Sequence, residues 1–199
     1  MSIQFSDIVS LLAITISLLT FGISVYIQFI KPPKLIISPG ENLTMYYQND
    51  GSLGLRSNLS FFNLGARYLG IQKITGVITR KSDGLSMGFE WADFFKSTVV
   101  KSTGKSQIPW IEFDGPLQTI IVPGYQATNR SITFITERSF EVTPGIYTIE
   151  YTAYLIPNRK AMTRHTVQVD KNAATHLSQK CVANDKGVYK ESLVLRLQV

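Results

Sequence analysis

Cysteine is nearly missing. Cys181 is the only one in 199 residues, so no internal disulfide can form, which fits a reducing compartment. Histidine is almost as scarce: with His165 and His176 as the whole supply, a zinc site of Cys and His is out of reach without carboxylate help, and no ligand spacing suggests one. A triad could be drawn from His165, Asp170 and a serine, but no Gly-x-Ser-x-Gly elbow accompanies it. The run Ser102 to Ser106, Ser-Thr-Gly-Lys-Ser, has the end of a phosphate-binding loop, yet Val99 stands where the first glycine is required, and it reads as a surface loop. These absences argue against an enzyme, a metal or a bound cofactor.

Charge is missing from one place in particular. From Ile8 to Ile30 there is no charged residue, with Asp7 before the run and Lys31 and Lys34 after it. As a helix rising ~1.5 Å per residue, the run measures about 34 Å, enough to cross a hydrocarbon core of roughly 30 Å with some tilt. A cleavable signal would have a basic start, a shorter apolar stretch and a small-x-small exit. Here the start is Met-Ser-Ile-Gln-Phe-Ser-Asp and the exit is Ile-Lys-Pro-Pro-Lys, so a retained membrane anchor is expected. All basic residues follow Ile30, and Asp7 is the one acid before it. The positive-inside rule therefore predicts a single-pass protein of the inner (plasma) membrane, N-terminus outside and C-terminal part cytoplasmic.

Ser6, Ser10, Ala13, Ser17, Thr20, Ser24 and Gln28 recur every three or four residues, which puts them on one face of that helix, about 80° wide at 100° per residue. The opposite face carries Ile8, Leu11, Leu12, Leu18, Leu19 and Ile23. Small and hydroxylated side chains let helices approach and hydrogen-bond, so the stripe reads as a seam for self-association. The same stripe would line a pore if several copies surrounded an axis, with Asp7 forming an acidic ring at the mouth. Asp7 as a cap of the first helical turn is the plainer alternative.

Pro32 and Pro33 end the helix and make a short stiff connection, dividing the chain into residues 1–31 and a domain of residues 32–199. From Lys34 onward, short runs rich in β-branched and aromatic residues alternate with Gly, Pro, Asn and Asp turns. Strands are expected at 34–38, 42–48, 55–62, 68–80, 107–113, 117–122, 129–136, 145–156, 162–170 and 189–198. Trp91, Phe94 and Phe95 repeat at helical spacing, predicting a short amphipathic helix over Phe89 to Ser97. Residues 171–188 read as a long loop or a turn of helix. Many short strands in one domain of this length predict a sandwich or a barrel.

Net charge is +6, and aromatics accompany the cations. If the strand order is that of a sandwich whose first strand leaves the membrane, Arg67, Arg159, Lys160, Arg164 and His165 gather at the membrane end, with Tyr68 or Tyr154 beside them. That end would favour acidic headgroups, or hold an anionic ligand such as a nucleotide or single-stranded oligonucleotide. Arg80 and Lys81 would lie at the far end, available to an acidic protein partner.

Val142 to Ile149, Val-Thr-Pro-Gly-Ile-Tyr-Thr-Ile, resembles the start of strand F in an immunoglobulin-like domain, where a tyrosine lies two residues before a core position. Antibody-type domains have a disulfide cysteine there; Ile149 takes its place, so the resemblance implies the sandwich and no antibody-like role. One spanning helix with a polar seam and a basic cytosolic β domain also resembles, in architecture, the membrane effectors of bacterial nucleotide-signalling phage defence, including Hailong-type channels. That resemblance implies an oligomer in which Ser10, Ser17, Thr20, Ser24 and Gln28 line the assembly while Arg67, Arg159, Lys160 and Arg164 face the signal. A non-enzymatic anchored adaptor or envelope protein, binding a protein partner through its sandwich, is the alternative.

Overall fold

The computed structural model describes residues 5–48, 50–100, 108–181 and 193–198. Helix α1 (Phe5–Val25) runs into a π-helical turn, Tyr26–Ile30, closed where the Lys31 N–H donates to the Tyr26 carbonyl at 2.8 Å. Lys31 is extended, at φ −60° and ψ 121°, as the clash with a following proline requires. Together the two segments provide one helix, Ile8–Ile30, long and apolar enough to cross a membrane.

The rest is mainly β: β1 (Leu35–Tyr47), β2 (Ser52–Asn63), β3 (Leu69–Arg80), β4 (Ser86–Val100), β5 (Ile108–Gly115), β6 (Ile120–Val122), β7 (Ala127–Ser139), β8 (Gly145–Ile156), β9 (Arg159–Val169), then helix α2 (Lys171–Cys181) and β10 (Leu193–Gln198). All pairings are antiparallel, in the order β5-β4-β7-β2-β1-β10-β9-β8-β3-β6. The segment β4-β7-β2-β1 reproduces sheet ABED of a constant-type immunoglobulin sandwich, and β3-β8-β9 reproduces sheet CFG. Two further connections join the sheets. β10 bridges β1 and β9, and β3 pairs with the first half of β4 from Thr75 opposite Glu90 to Thr79 opposite Ser86. The result is a ring of strands, nearly a barrel.

Alternating residues fill the interior. Leu59 and Phe61 on β2, Ile132 and Phe134 on β7, and Ile149, Tyr151 and Ala153 on β8 are all buried, as strand periodicity dictates. Phe89, Phe134 and Tyr151 meet at ring-centroid distances of 5.3–5.6 Å, within the range favoured by edge-on and tilted aromatic pairs. The Tyr147 hydroxyl donates to the Thr143 carbonyl at 2.7 Å and accepts the Thr143 N–H at 2.9 Å. This is the tyrosine corner at the start of strand F.

Three expectations are corrected. Phe89 to Ser97 is not helical but lies in β4, where the pairing with β7 slips between Trp91 and Asp93 and that with β5 slips between Phe94 and Phe95. One extra residue at a bulge puts Trp91 and Phe94 on the same side of a strand three positions apart, which imitates a helical repeat. The strands expected at 34–38 and 42–48 are one strand, interrupted between Pro39 and Leu43. Residues 171–181, read as a loop or one turn, form α2, whose Asp170 caps it by accepting the Ala173 N–H at 2.7 Å. Residues 102–106 and 182–188 lie outside the described residues.

Candidate functional site at the helix exit

The sandwich meets the helix through a cluster of tight loops. Asn63, the last residue of β2, is 1% exposed, so its amide must be satisfied within the protein. Its Nδ2 donates to the carbonyls of Arg67 at 2.7 Å and Val122 at 3.2 Å, and its Oδ1 accepts the Gly65 N–H at 2.9 Å. One side chain thereby ties the β2–β3 loop to the end of β6.

Two glycines allow the close approach. A Cβ on Gly65 would lie 2.4 Å from Pro33 Cα, and one on Gly124 would lie 1.9 Å from the Ala66 carbonyl oxygen. The next residue, Tyr125, holds φ at +54°, an uncommon conformation for a bulky side chain. Its N–H donates to the Gly65 carbonyl at 2.9 Å, while its ring is exposed. From the opposite side, Arg159 Nη1 donates to the Pro33 carbonyl at 2.9 Å. The Leu64 N–H reaches the Lys34 carbonyl at 2.9 Å. Pro33 is thus held from both sides of the domain.

Above this latch, a cleft of about 460 Å³ separates the end of the helix from the loops, lined by Ser24, Ile27, Gln28, Phe29, Ala66 and Tyr125. The loop tips therefore stand beside the last residues of the apolar run, not beyond it.

The expected basic cluster is only partly assembled. Arg67, Tyr68, Arg159 and Lys160 lie at the helix-exit end, because the β2–β3 loop and the β8–β9 turn both meet there. Arg159 is committed to Pro33, and Lys160 Nζ sits 4.9 Å from the centroid of the Tyr154 ring, within cation–π range. Arg164 and His165 are elsewhere. Arg159 faces Leu155 and Arg164 faces Glu150, so at about 3.3 Å per residue Arg164 is roughly 16 Å further along β9. Its Nη2 and Nε donate to Glu150 Oε2 at 2.8 and 3.2 Å. His165 Nε2 lies 2.9 Å from Thr163 Oγ1, and burial holds its pKa below the usual value near 6.5. At the far end, Arg80 donates to Asp83 at 3.2 Å and to the Glu141 carbonyl at 2.8 Å, whereas Lys81 is exposed.

On the helix, the hydroxyls of Thr15, Ser17, Thr20 and Ser24 each donate to the carbonyl four residues earlier at 2.8 Å. Those protons need no water, which makes the stripe compatible with hydrocarbon. Each oxygen keeps acceptor capacity for a neighbouring helix. Ser10 lies on the same exposed surface, and Asp7 lies in the first turns of α1. Ser24 and Gln28 also face the cleft, so one stretch of the stripe adjoins the domain's own loops.

No family model matches the chain, and no curated protein matches it. Among solved structures it is similar to the solution structure of a putative late embryogenesis abundant protein, at 11% identity and TM-score 0.36, covering 81% of this chain and 87% of that one. It is also similar to Spo0M, a sporulation control protein from Bacillus subtilis, at 7% identity and TM-score 0.35, covering 71% and 50%. The putative ApaA protein from Bordetella pertussis is a further similar structure, at 9% identity and TM-score 0.34, covering 68% and 90%. Likenesses this weak bear on neither ligand nor activity.

Sequence reasoning missed Asn63 and Tyr125. The signal for Asn63 was a turn triplet, Asn63-Leu64-Gly65, directly after an alternating strand. Nothing in the sequence marks Tyr125, whose role depends on the packing of Gly124 against a loop roughly sixty residues away in the chain. Among the described residues no group of three or more His, Cys, Asp or Glu could hold a metal ion.

Proposed function

We propose that this protein is a non-enzymatic, single-pass membrane effector of the inner (plasma) membrane that works as a homo-oligomer, its helix stripe forming the assembly and its β-sandwich lying in the cytosol. The observation that carries the reading is the stripe itself: an uncharged run of 23 residues needs no hydroxyls merely to anchor a domain, yet Ser10, Ser17, Thr20 and Ser24 share one of its faces. The bonded protons of Ser17, Thr20 and Ser24 and the small profile of all four suit close helix contact, and around an axis they would line an ion-conducting path. Placement in the cytosol is supported by the location of the basic residues, all after Ile30.

Control of such an assembly requires a ligand with different affinity for its two states. Arg67, Tyr68 and Lys160, exposed beside the latch, are the groups available to an anion, and a nucleotide or oligonucleotide of the kind used in bacterial anti-phage signalling is the soluble candidate. A second reading, an anchored adaptor that binds a protein partner, is favoured by the dispersal of the cations, since Arg164 is paired with Glu150 and Arg159 with Pro33.

Mass measurement of the full-length protein in mild detergent, with absorbance at 260 nm relative to 280 nm, separates them. A discrete oligomer carrying nucleic acid supports the effector, and a bare monomer supports the adaptor. Replacing Ser17 and Ser24 together by leucine should weaken the oligomer about tenfold or more, at roughly 0.6–2 kcal/mol for each interhelical hydrogen bond removed. An unchanged mass at limiting concentration would refute the seam.

A further inference from the structure

The geometry points to a second membrane contact: we propose that the helix-exit end of the sandwich docks into the headgroup layer of an anionic leaflet, inserting the tips of the β2–β3 and β6–β7 loops beside its own helix. The inference rests on the reading of Ile8–Ile30 as a membrane span. If that span ends near Ile30, whatever flanks residues 24 to 29 lies at the depth of the interface, and Ala66 and Tyr125 line a common cleft with Ser24, Gln28 and Phe29.

The surface presented there has the composition an interface selects. Leu64 is 51% exposed, Tyr68 74%, Tyr125 63% and Ile156 51%, so four large apolar or amphipathic side chains face outward on the loops of this one end. Tyrosines favour the headgroup level, where the ring meets acyl chains and the hydroxyl meets water. Arg67 and Lys160, both exposed on the same end, supply the charge that anionic lipid attracts. The occupant is fixed by continuity: Pro33 is bonded to Arg159 and packed on Gly65, so the bilayer entered by the helix is the nearest surface these tips can meet. The left-handed backbone of Tyr125, held by Gly124 and the Gly65 carbonyl, keeps that ring projecting away from the sandwich. A soluble polyanion competing for Arg67 and Lys160 would then lift the domain from the leaflet, which links docking to the proposed control.

The test uses full-length protein in nanodiscs of neutral or anionic lipid, with Cys181→Ser as background and nitroxide labels at Leu18→Cys, Tyr125→Cys or Gly84→Cys. Accessibility to oxygen and to a water-soluble nickel chelate reports depth. The expected result is a buried label at 18, an interfacial label at 125 that moves deeper in anionic lipid, and an aqueous label at 84, in the far β3–β4 turn. Arg67→Glu with Lys160→Glu should shift the docked population about thirtyfold or more toward the undocked form, taking ~1 kcal/mol for each cation removed. A label at 125 as aqueous as that at 84, with 18 buried, overturns docking and leaves the span standing. An aqueous label at 18 overturns both. Equal depth at 125 in neutral and anionic lipid overturns the anionic specificity.

Discussion

Replacing Asn63 should loosen the joint between helix and sandwich more than any substitution on the exposed loops. Asn63→Ala removes three hydrogen bonds at once. The Arg67 carbonyl sits in an exposed loop and can turn to water, but the Gly65 N–H and the Val122 carbonyl remain buried. Each dry, unpaired group costs about 1–3 kcal/mol, so the loss should total ~3 kcal/mol. That is a large part of the 5–15 kcal/mol typical of a domain. Asn63→Asp discriminates between bonding and shape. It keeps the volume and the acceptor for Gly65, but loses both donated bonds and places a buried carboxylate against two carbonyl oxygens. It should therefore be worse than alanine at pH 7 and recover partly in acid, when the carboxyl becomes a donor again. Urea unfolding followed by tryptophan fluorescence gives the stabilities, and hydrogen exchange at Gly65 and Tyr125 gives the local effect. Equal stabilities for Asp and Ala, or a loss below about 1 kcal/mol for either, would refute the account of Asn63 as the tie.

The remaining predictions are simpler. Tyr147→Phe keeps the ring against Phe140 but loses both bonds to Thr143, and should lower stability by about 1–3 kcal/mol in the same titration. Gly124→Ala drives a methyl into the Ala66 carbonyl and should cost roughly 1–3 kcal/mol while leaving the far β3–β4 turn unchanged by hydrogen exchange. His165 has a folded pKa below its ordinary value, so the unfolded chain binds more protons there. Stability should fall as pH drops below about 6.5 and level off below the folded pKa, and His165→Gln should flatten that slope in thermal melts.

How much of this was legible in the sequence depended on whether residues acted locally. The apolar run, the proline exit and the alternating strands each follow from the neighbours in the chain. So did Tyr147, where a turn, a tyrosine and a core isoleucine lie within eight residues. β4 was misread because its bulges displace Trp91 and Phe94 into a three-residue repeat, and only the pairing with β7 reveals the extra residue. The basic cluster assembles only in part for a related reason. Arg67 and Arg159 both belong to the helix-exit end, but strand length carries Arg164 and His165 away along β9, where Glu150 claims the arginine. Asn63 had only its turn triplet to mark it, because its partners are three backbone groups, two of them in its own turn and one on β6.

The ring made by β10 and by the β3–β4 pairing has a consequence for life at high local concentration. Helices that associate in a bilayer bring their domains to millimolar effective concentration, a regime in which long open sheet edges zip together irreversibly. Here β10 closes the ring by pairing with β1 at Asn42–Met45 and with β9 at Thr166 and Val167, and β3 closes it by pairing with β4 at Thr75–Thr79, so among the described residues the sheet edge is confined to β5, the three-residue β6 and the helix-exit halves of β1 and β9. If copies are brought together by their helices, this partial closure limits the length of edge through which their sandwiches could zip together.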